Sequence, residues 1–394
     1  MMSLLLGIIY VAFISLGLPD ALLGAAWPIM RGELGVAVSF AGILSMIISA
    51  GTIISSLYSD ALTKNLGTGK VTAASVALTA AALWGFSMAR SFPVLCLIAL
   101  PYGLGAGAVD AALNNYVAIH YKARHMSWLH CFWGVGASLG PYIMSACLMG
   151  GLSWNSGYRV VSLLQVGLTA VLFATLSKWK ETGGRQGEGG VAEERKSLRV
   201  RDLLKLPGAK PALASFFCYC ALEQTAGLWA ASYMVLERGV SPEEAAKWAS
   251  LFYLGITAGR FLCGFITLKL SDQAMVRLGQ GIAFGGILLL MLPFGQSLTG
   301  IGLVMVGIGC APVYPALLHE TPVNFGADKS QAIMGMQMAC AYVGTMAMPP
   351  LFGLLSGMTG IWLYPWYLVV IVVIMTVMVE SLNKICVQRG GEGL

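Results

Sequence analysis

The sequence predicts an all-α integral membrane protein whose twelve transmembrane helices form two six-helix pseudo-repeats. Three observations carry that prediction: an apolar composition, long apolar runs along the whole chain, and a faint echo of the first half in the second. Hydrophobic residues make up 57% and charged residues only 11%, with a mean hydropathy of +0.76, whereas soluble domains carry about 25% charged residues. A helix needs about 20 apolar residues to cross the roughly 30 Å hydrocarbon core. Runs of that kind cover 3–30, 39–62, 71–89, 92–119, 127–150, 157–178, 211–235, 244–269, 273–294, 298–320, 330–356 and 360–383. Barrel strands would be about ten residues long with strict alternation, and these runs are longer and do not alternate.

The first run lacks a charged leader and carries Asp20 and Pro28 where a signal peptide would have a small-residue cleavage site, so it reads as a retained helix. The second and third are joined through "SLYSDALTKNLGTGK". The fourth contains "GLGAGAVDAALNN", with Asp110, Asn114 and Asn115 inside an apolar, glycine-rich stretch. His130, Gly136 and Pro141 lie in the fifth, and the sixth closes the first half. Between them, residues 180–210 are glycine-rich, charged and without apolar periodicity, which predicts a linker with a short amphipathic piece near Leu203. The division expected is therefore a bundle over 1–179, the linker, and a bundle over 211–394. In the second bundle Glu223, Gln224 and Trp229 fall in the seventh run, Tyr253 and Arg260 in the eighth, Tyr314, His319 and Glu320 in the tenth, and Gln337, Gly344, Pro349 and Pro350 in the eleventh.

Positive residues stay on the cytoplasmic side of a membrane. With the N-terminus inside, that side receives Lys64, Lys70, Lys122, Arg124, nine residues of the central loop from Lys178 to Lys210, and Lys269, Arg277, Lys329, Lys384 and Arg389. The other side receives Arg31, Arg90, Arg159, Arg238 and Lys247. Both termini are expected in the cytoplasm of a bacterial inner membrane, and the net charge of +6 reads as topology, without a nucleic-acid partner. A monomer is expected. The nine cysteines show no Cys-x-x-Cys pair and no His at ligand spacing, so no metal or other cofactor is expected. No nucleophile, base and orienter cluster points to an enzyme.

The repeat is visible in the halves. Glu33–Val36 fall on Glu237–Val240, and the same register brings Gly51 onto Gly255, Gly103 onto Gly307 and Gly105 onto Gly309. A register four residues longer puts Gly136 on Gly344 and Pro141 on Pro349. Parallel repeats of this sort place a solute site near the membrane midplane between the halves. The polar positions have diverged: Asp20 aligns with Gln224 and Asp110 with Tyr314.

A charge near the centre of a membrane helix costs about 2.5 to 3.5 kcal/mol, so each needs a partner, a watery cavity or a proton. Asp20, Asp110 and Glu223 are the candidate coupling groups, for a proton carried by the neutral acid or for sodium held by the anion; the alternative for each is a structural hydrogen bond between helices. Helix geometry puts Asp110 and Asn114 on one face. The candidate solute contacts are Asn114, Asn115, His130, Gln224 and Gln337, with Trp229, Tyr253 and Tyr314 as ring faces if the solute is a sugar. Arg260 reads as half of an ion pair. Gly136, Pro141, Gly344 and Pro349 read as bending or close-packing positions, while His319 and Glu320 read as solvated groups near a helix end.

Two six-helix repeats with a basic central loop resemble the major facilitator superfamily over nearly the whole chain. Its loop between helices 2 and 3 usually reads Gly-x-x-x-Asp-Arg-x-Gly-Arg-Lys. Here Asp60, Gly67 and Lys70 remain, while Ser56 and Ala61 replace the first glycine and the arginine. Within that superfamily "LGLPDALLGAAWP", "GLGAGAVDAALNN" and "LHCFWGVGASLGP" resemble the fucose permease-like sugar:proton symporters and the sodium-dependent glucose transporter group. The resemblance implies symport of a monosaccharide with a proton or sodium by alternating access, the helix 1 and helix 4 acids (Asp20 and Asp110) coupling it, in a cavity lined by helices 1, 4, 5, 7, 8, 10 and 11. Two rivals stand beside it: a proton-coupled exporter, which often carries Gly-x-x-x-Gly-Pro-x-x-Gly-Gly where this chain has Met144 and Ser145 at the last pair, and a sensor or lipid-handling protein on the same scaffold.

Overall fold

The computed structural model describes residues 2–120, 123–179, 203–266, 270–293 and 295–392. Over the described residues each predicted run is helical, and two of them, 3–30 and 298–320, are broken into more than one helix. In chain order they are α1 (Met2–Asp20), α2 (Leu22–Leu34), α3 (Phe40–Leu66), α4 (Thr68–Met88), α5 (Phe92–His120), α6 (Ala123–Met149) and α7 (Trp154–Ala174). They continue with α8 (Ala209–Leu236), α9 (Pro242–Ile266), α10 (Asp272–Met291), α11 (Gly295–Cys310), α12 (Val313–His319), α13 (Thr321–Phe325), α14 (Ala327–Thr359) and α15 (Tyr364–Glu392). Nine helical segments among the described residues are long and apolar enough to cross a bilayer. The other three long helices are α3, α8 and α9, with 27, 28 and 25 residues. Most of the expected linker, 180–202, lies outside the described residues, as do the side chains of Asp60 and Asn115.

Helices α1 and α2 form one span that breaks at Ala21. Pro19 has no N–H to give to the carbonyl four residues back, and that carbonyl, of Ser15, accepts instead from Gln165 Nε2 at 2.8 Å. The break leaves Asp20 at the end of α1, facing a cavity. The tenth span is interrupted similarly, after Cys310 at Ala311 and Pro312 and again at Glu320. Between α3 and α4 the chain turns on Gly67 alone, at φ +81°, a conformation that any side chain would strain. This is the glycine that survives in the loop pattern.

Helices α1–α7 pack mainly on one another, as do α8–α15, and the two sets meet through α6 with α9, α3 with α14, and α2 with α8. The α6–α9 seam is long and carries hydrogen bonds: Ser250 Oγ donates to Ser138 O at 2.6 Å and Ser145 Oγ to Glu243 O at 2.8 Å. The other two contacts belong to one end of the molecule. There Gly24 lies against the Leu228 carbonyl, where a Cβ would approach to 2.8 Å, and Gly42 lies against Pro350, where it would approach to 2.6 Å. Toward the opposite end, which holds both described termini, a cavity lies between the sets and reaches Ser271, Asp272 and His319. Large apolar side chains such as Leu97, Leu163, Phe173, Leu354 and Trp366 are exposed around the outside, the surface that lipid covers in a membrane protein.

Candidate functional site

The opening between the sets is a cavity of about 1260 Å³. Ser271, Asp272, Met275, Leu318, His319 and Met334 line it near the open end, and its deep walls carry Asp20, Asp110, His130, Glu223, Gln224, Tyr253, Arg260 and Tyr314. Eight of the residues singled out in the sequence for charge, hydrogen bonding or ring faces thus meet in one space. Helix α3 also contributes, through Ser45, Ser49 and Thr52, which the sequence did not suggest because serine and threonine in an apolar helix look like packing residues.

The two coupling candidates have different partners. Asp20 accepts a hydrogen bond from Trp133 Nε1 at 2.8 Å. Asp110 accepts from Asn114 Nδ2 at 2.9 Å, and the same amide nitrogen donates to the Asp110 carbonyl at 3.0 Å. Trp133 reaches Asp20 because α1 and α6 approach very closely: a Cβ at Gly136 would stand 2.0 Å from the Ile14 carbonyl, and one at Gly140 2.0 Å from that of Leu18. Glycine is needed there for contact between helix backbones.

On the other wall Arg260 and Glu223 form the expected ion pair, at 3.5 Å between Nη2 and Oε2. Tyr219 donates its hydroxyl to the same Glu223 oxygen, and Arg260 Nη2 donates to the Tyr219 hydroxyl at 3.2 Å. The Arg260 guanidinium also lies 5.7 Å from the centre of the Trp133 ring. Trp133 therefore touches Asp20 of its own set and Arg260 of the other. A chain of contacts, Asp20 to Trp133 to Arg260 to Glu223 to Tyr219, joins the two walls, its middle link the ring face of Trp133 against the guanidinium. Tyr219 and Tyr102 were missed in the sequence, since tyrosine in a membrane helix gives no sign of facing a cavity.

Several candidates stand elsewhere. Asn114, Trp229 and Gln337 are not among the described residues that line the cavity. Asn114 is held by Asp110. Gln337 is buried and accepts from Thr321 Oγ1 at 3.1 Å. Trp229 is fully buried, donates to the Pro349 carbonyl at 3.0 Å and packs edge-on against Phe352. Gly344 packs against the Phe217 carbonyl, where a Cβ would stand at 2.5 Å. His319 pairs with Asp272 at 2.6 Å at the open mouth, and Glu320 is buried beneath it.

The family model described as Major Facilitator Superfamily matches residues 9–330. The chain belongs to that superfamily. An uncharacterized transporter of Sinorhizobium fredii is 24% identical over 343 residues, covering 84% of this chain and 85% of the relative. The 3-(3-hydroxy-phenyl)propionate transporter of Escherichia coli is 23% identical over 330 residues, covering 79% and 75%. Among solved structures of the fold, the nucleoside transporter NupG superposes with a TM-score of 0.78 at 12% identity, covering 96% of this chain and 98% of that one. A bacterial homologue of the human lysosomal transporter Spinster, in an inward-facing and unoccupied conformation, gives 0.74 at 13%, covering 98% and 96%. These likenesses establish a membrane transporter fold.

Proposed function

We propose that the protein is a secondary active transporter that moves a small organic solute by cation symport, through alternating access. The observation that supports this most is the cavity itself, whose lining runs from Asp272 and His319 at one end of the molecule to the carboxylates of Asp20 and Asp110, while the two sets touch at the other end through Gly24 and Gly42. With the Lys and Arg excess placed in the cytoplasm, the open end faces inward. A proton or sodium ion neutralises the acids before the loaded carrier reorients, because sealing a charged empty cavity away from water is costly. The sets rock about the α6–α9 seam, and the contacts of Gly24 and Gly42 part to open the other end.

For the solute, the sequence resemblance suggests a monosaccharide, which Gln224, His130 and the cavity tyrosines would bind. The relatives named for 3-(3-hydroxy-phenyl)propionate and for nucleosides support ring-bearing solutes of similar size more broadly. The reading is tested by uptake of a labelled panel of monosaccharides and aromatic acids into proteoliposomes, under an imposed proton gradient in one set and a sodium gradient in another. Saturable accumulation under only one gradient identifies the solute and its ion. Efflux driven by inward proton movement would replace symport with antiport.

A further inference from the structure

Arg260 is the one Lys or Arg among the described residues that line the cavity. Its pairing with Glu223 is loose: charge-assisted N–H···O bonds are commonly about 2.7–2.9 Å, and this one is 3.5 Å. The cause is in the geometry, since the Glu223 oxygen that faces Arg260 also takes the Tyr219 hydroxyl. Both hydrogen bonds of the guanidinium leave from Nη2, although the group carries five N–H donors in a planar fork that matches a carboxylate. Beneath it lies the Trp133 ring, and Phe13, Phe86, Tyr102, Tyr158 and Tyr253 continue the aromatic wall. Two of the amides that would bridge sugar hydroxyls, Asn114 and Gln337, are occupied within the protein. A fork beside stacked rings suits an anion on a flat apolar body better than a polyol.

We propose that Arg260 is the receptor for a carboxylate on an aromatic solute, with Trp133 and the neighbouring rings holding the ring, and with Glu223 as the resident counter-ion that the solute's carboxylate displaces. This site deepens the transporter reading and rests on it for its purpose. Asp20, Asp110 and Glu223 all face the same space as Arg260, so an anion that enters meets like charge. It binds when a hydronium ion that enters with it gives a proton to the displaced Glu223 carboxylate, one O–H bond of the hydronium breaking as the carboxyl O–H forms and water remaining; that proton then travels with the anion.

The test titrates the purified full-length protein in detergent by calorimetry with three probes: 3-phenylpropionate, its uncharged isostere 3-phenylpropionamide, and glucose. The carboxylate is expected to bind roughly tenfold or more tightly than the amide, as a charged hydrogen-bonded pair implies, and more tightly than glucose. Arg260→Gln should remove the preference for carboxylate over amide. Glu223→Gln, which keeps the side-chain shape and the Tyr219 partner, should tighten carboxylate binding severalfold. Amide or glucose binding as tightly as the carboxylate, no carboxylate binding at millimolar concentration, or a preference that survives Arg260→Gln would each overturn the site. Where Arg260→Gln yields no folded protein, Glu223→Gln decides, and unchanged or weakened carboxylate affinity overturns it. Failure of the transport reading is separable: a chain that binds the carboxylate yet accumulates no solute under any gradient keeps the Arg260 site and loses the carrier, and one that accumulates glucose without binding the carboxylate does the reverse.

Discussion

Trp133 is the residue on which the two walls of the cavity converge, through its indole N–H to Asp20 at 2.8 Å and its ring face to Arg260. Replacing it with phenylalanine keeps a ring under the guanidinium and removes the donor. A hydrogen bond to a charged group contributes about 1.5–3 kcal/mol, so Trp133→Phe is expected to lower the gradient-driven uptake rate by about tenfold or more, read in proteoliposomes, while folded yield is retained. Charge made this site partly legible beforehand: Asp20, Asp110, Glu223 and Arg260 stand out because each is expensive in an apolar helix, and all four line the cavity. Residue type does not reveal where an amide or a ring points. Asn114 and Asp110 do share a face, as the helix period requires, and for that reason they bond to each other. The buried Trp229 and the cavity-lining Trp133 are indistinguishable in a sequence where tryptophan occurs in many spans.

Helix α1 shows how an element places a functional group. Pro19 opens the backbone, Gln165 of α7 satisfies the freed Ser15 carbonyl, and Asp20 ends the helix at the cavity wall. Gln165→Leu leaves that carbonyl without its donor, at an expected cost of about 1–3 kcal/mol, seen as a lower midpoint in a detergent thermal melt. The α1–α6 contact is less forgiving. Gly136→Val forces apart backbones that leave no room for a Cβ, and overpacking of this kind costs about 1–3 kcal/mol. It should also pull Trp133 from Asp20, so uptake falls even in protein that elutes as a single folded peak. Helix positions follow directly from apolar length, as with the run predicted at 211–235 and observed as Ala209–Leu236. The breaks at Ala21 and around Pro312 do not, because hydropathy averages over a single missing hydrogen bond and proline is common inside membrane helices.

At the scale of the whole molecule, the sealed end depends on backbone contacts between small residues of the two sets. A Cβ at Gly357 would lie 3.8 Å from the Ser39 Cβ, close to the mean separation in a disulfide of about 3.8 Å. The double variant Ser39→Cys with Gly357→Cys is therefore expected to cross-link under mild oxidation and stop transport, with recovery on reduction; full transport by the cross-linked protein would show that this end does not open. The internal repeat suggested a cavity between two halves, and the meeting of α6 with α9 and α3 with α14 is the contact that such a cavity needs. Which end stands open is a property of packing between distant glycines and prolines, which no local pattern encodes. If a cation must neutralise Asp110 before the loaded carrier turns over, wild type and Asp110→Asn in the same proteoliposomes will differ in accumulation against a gradient and agree in solute counterflow. The variant is expected to lose uphill accumulation and keep counterflow; accumulation by the variant to the wild-type level would mean that Asp110 does not carry the coupling.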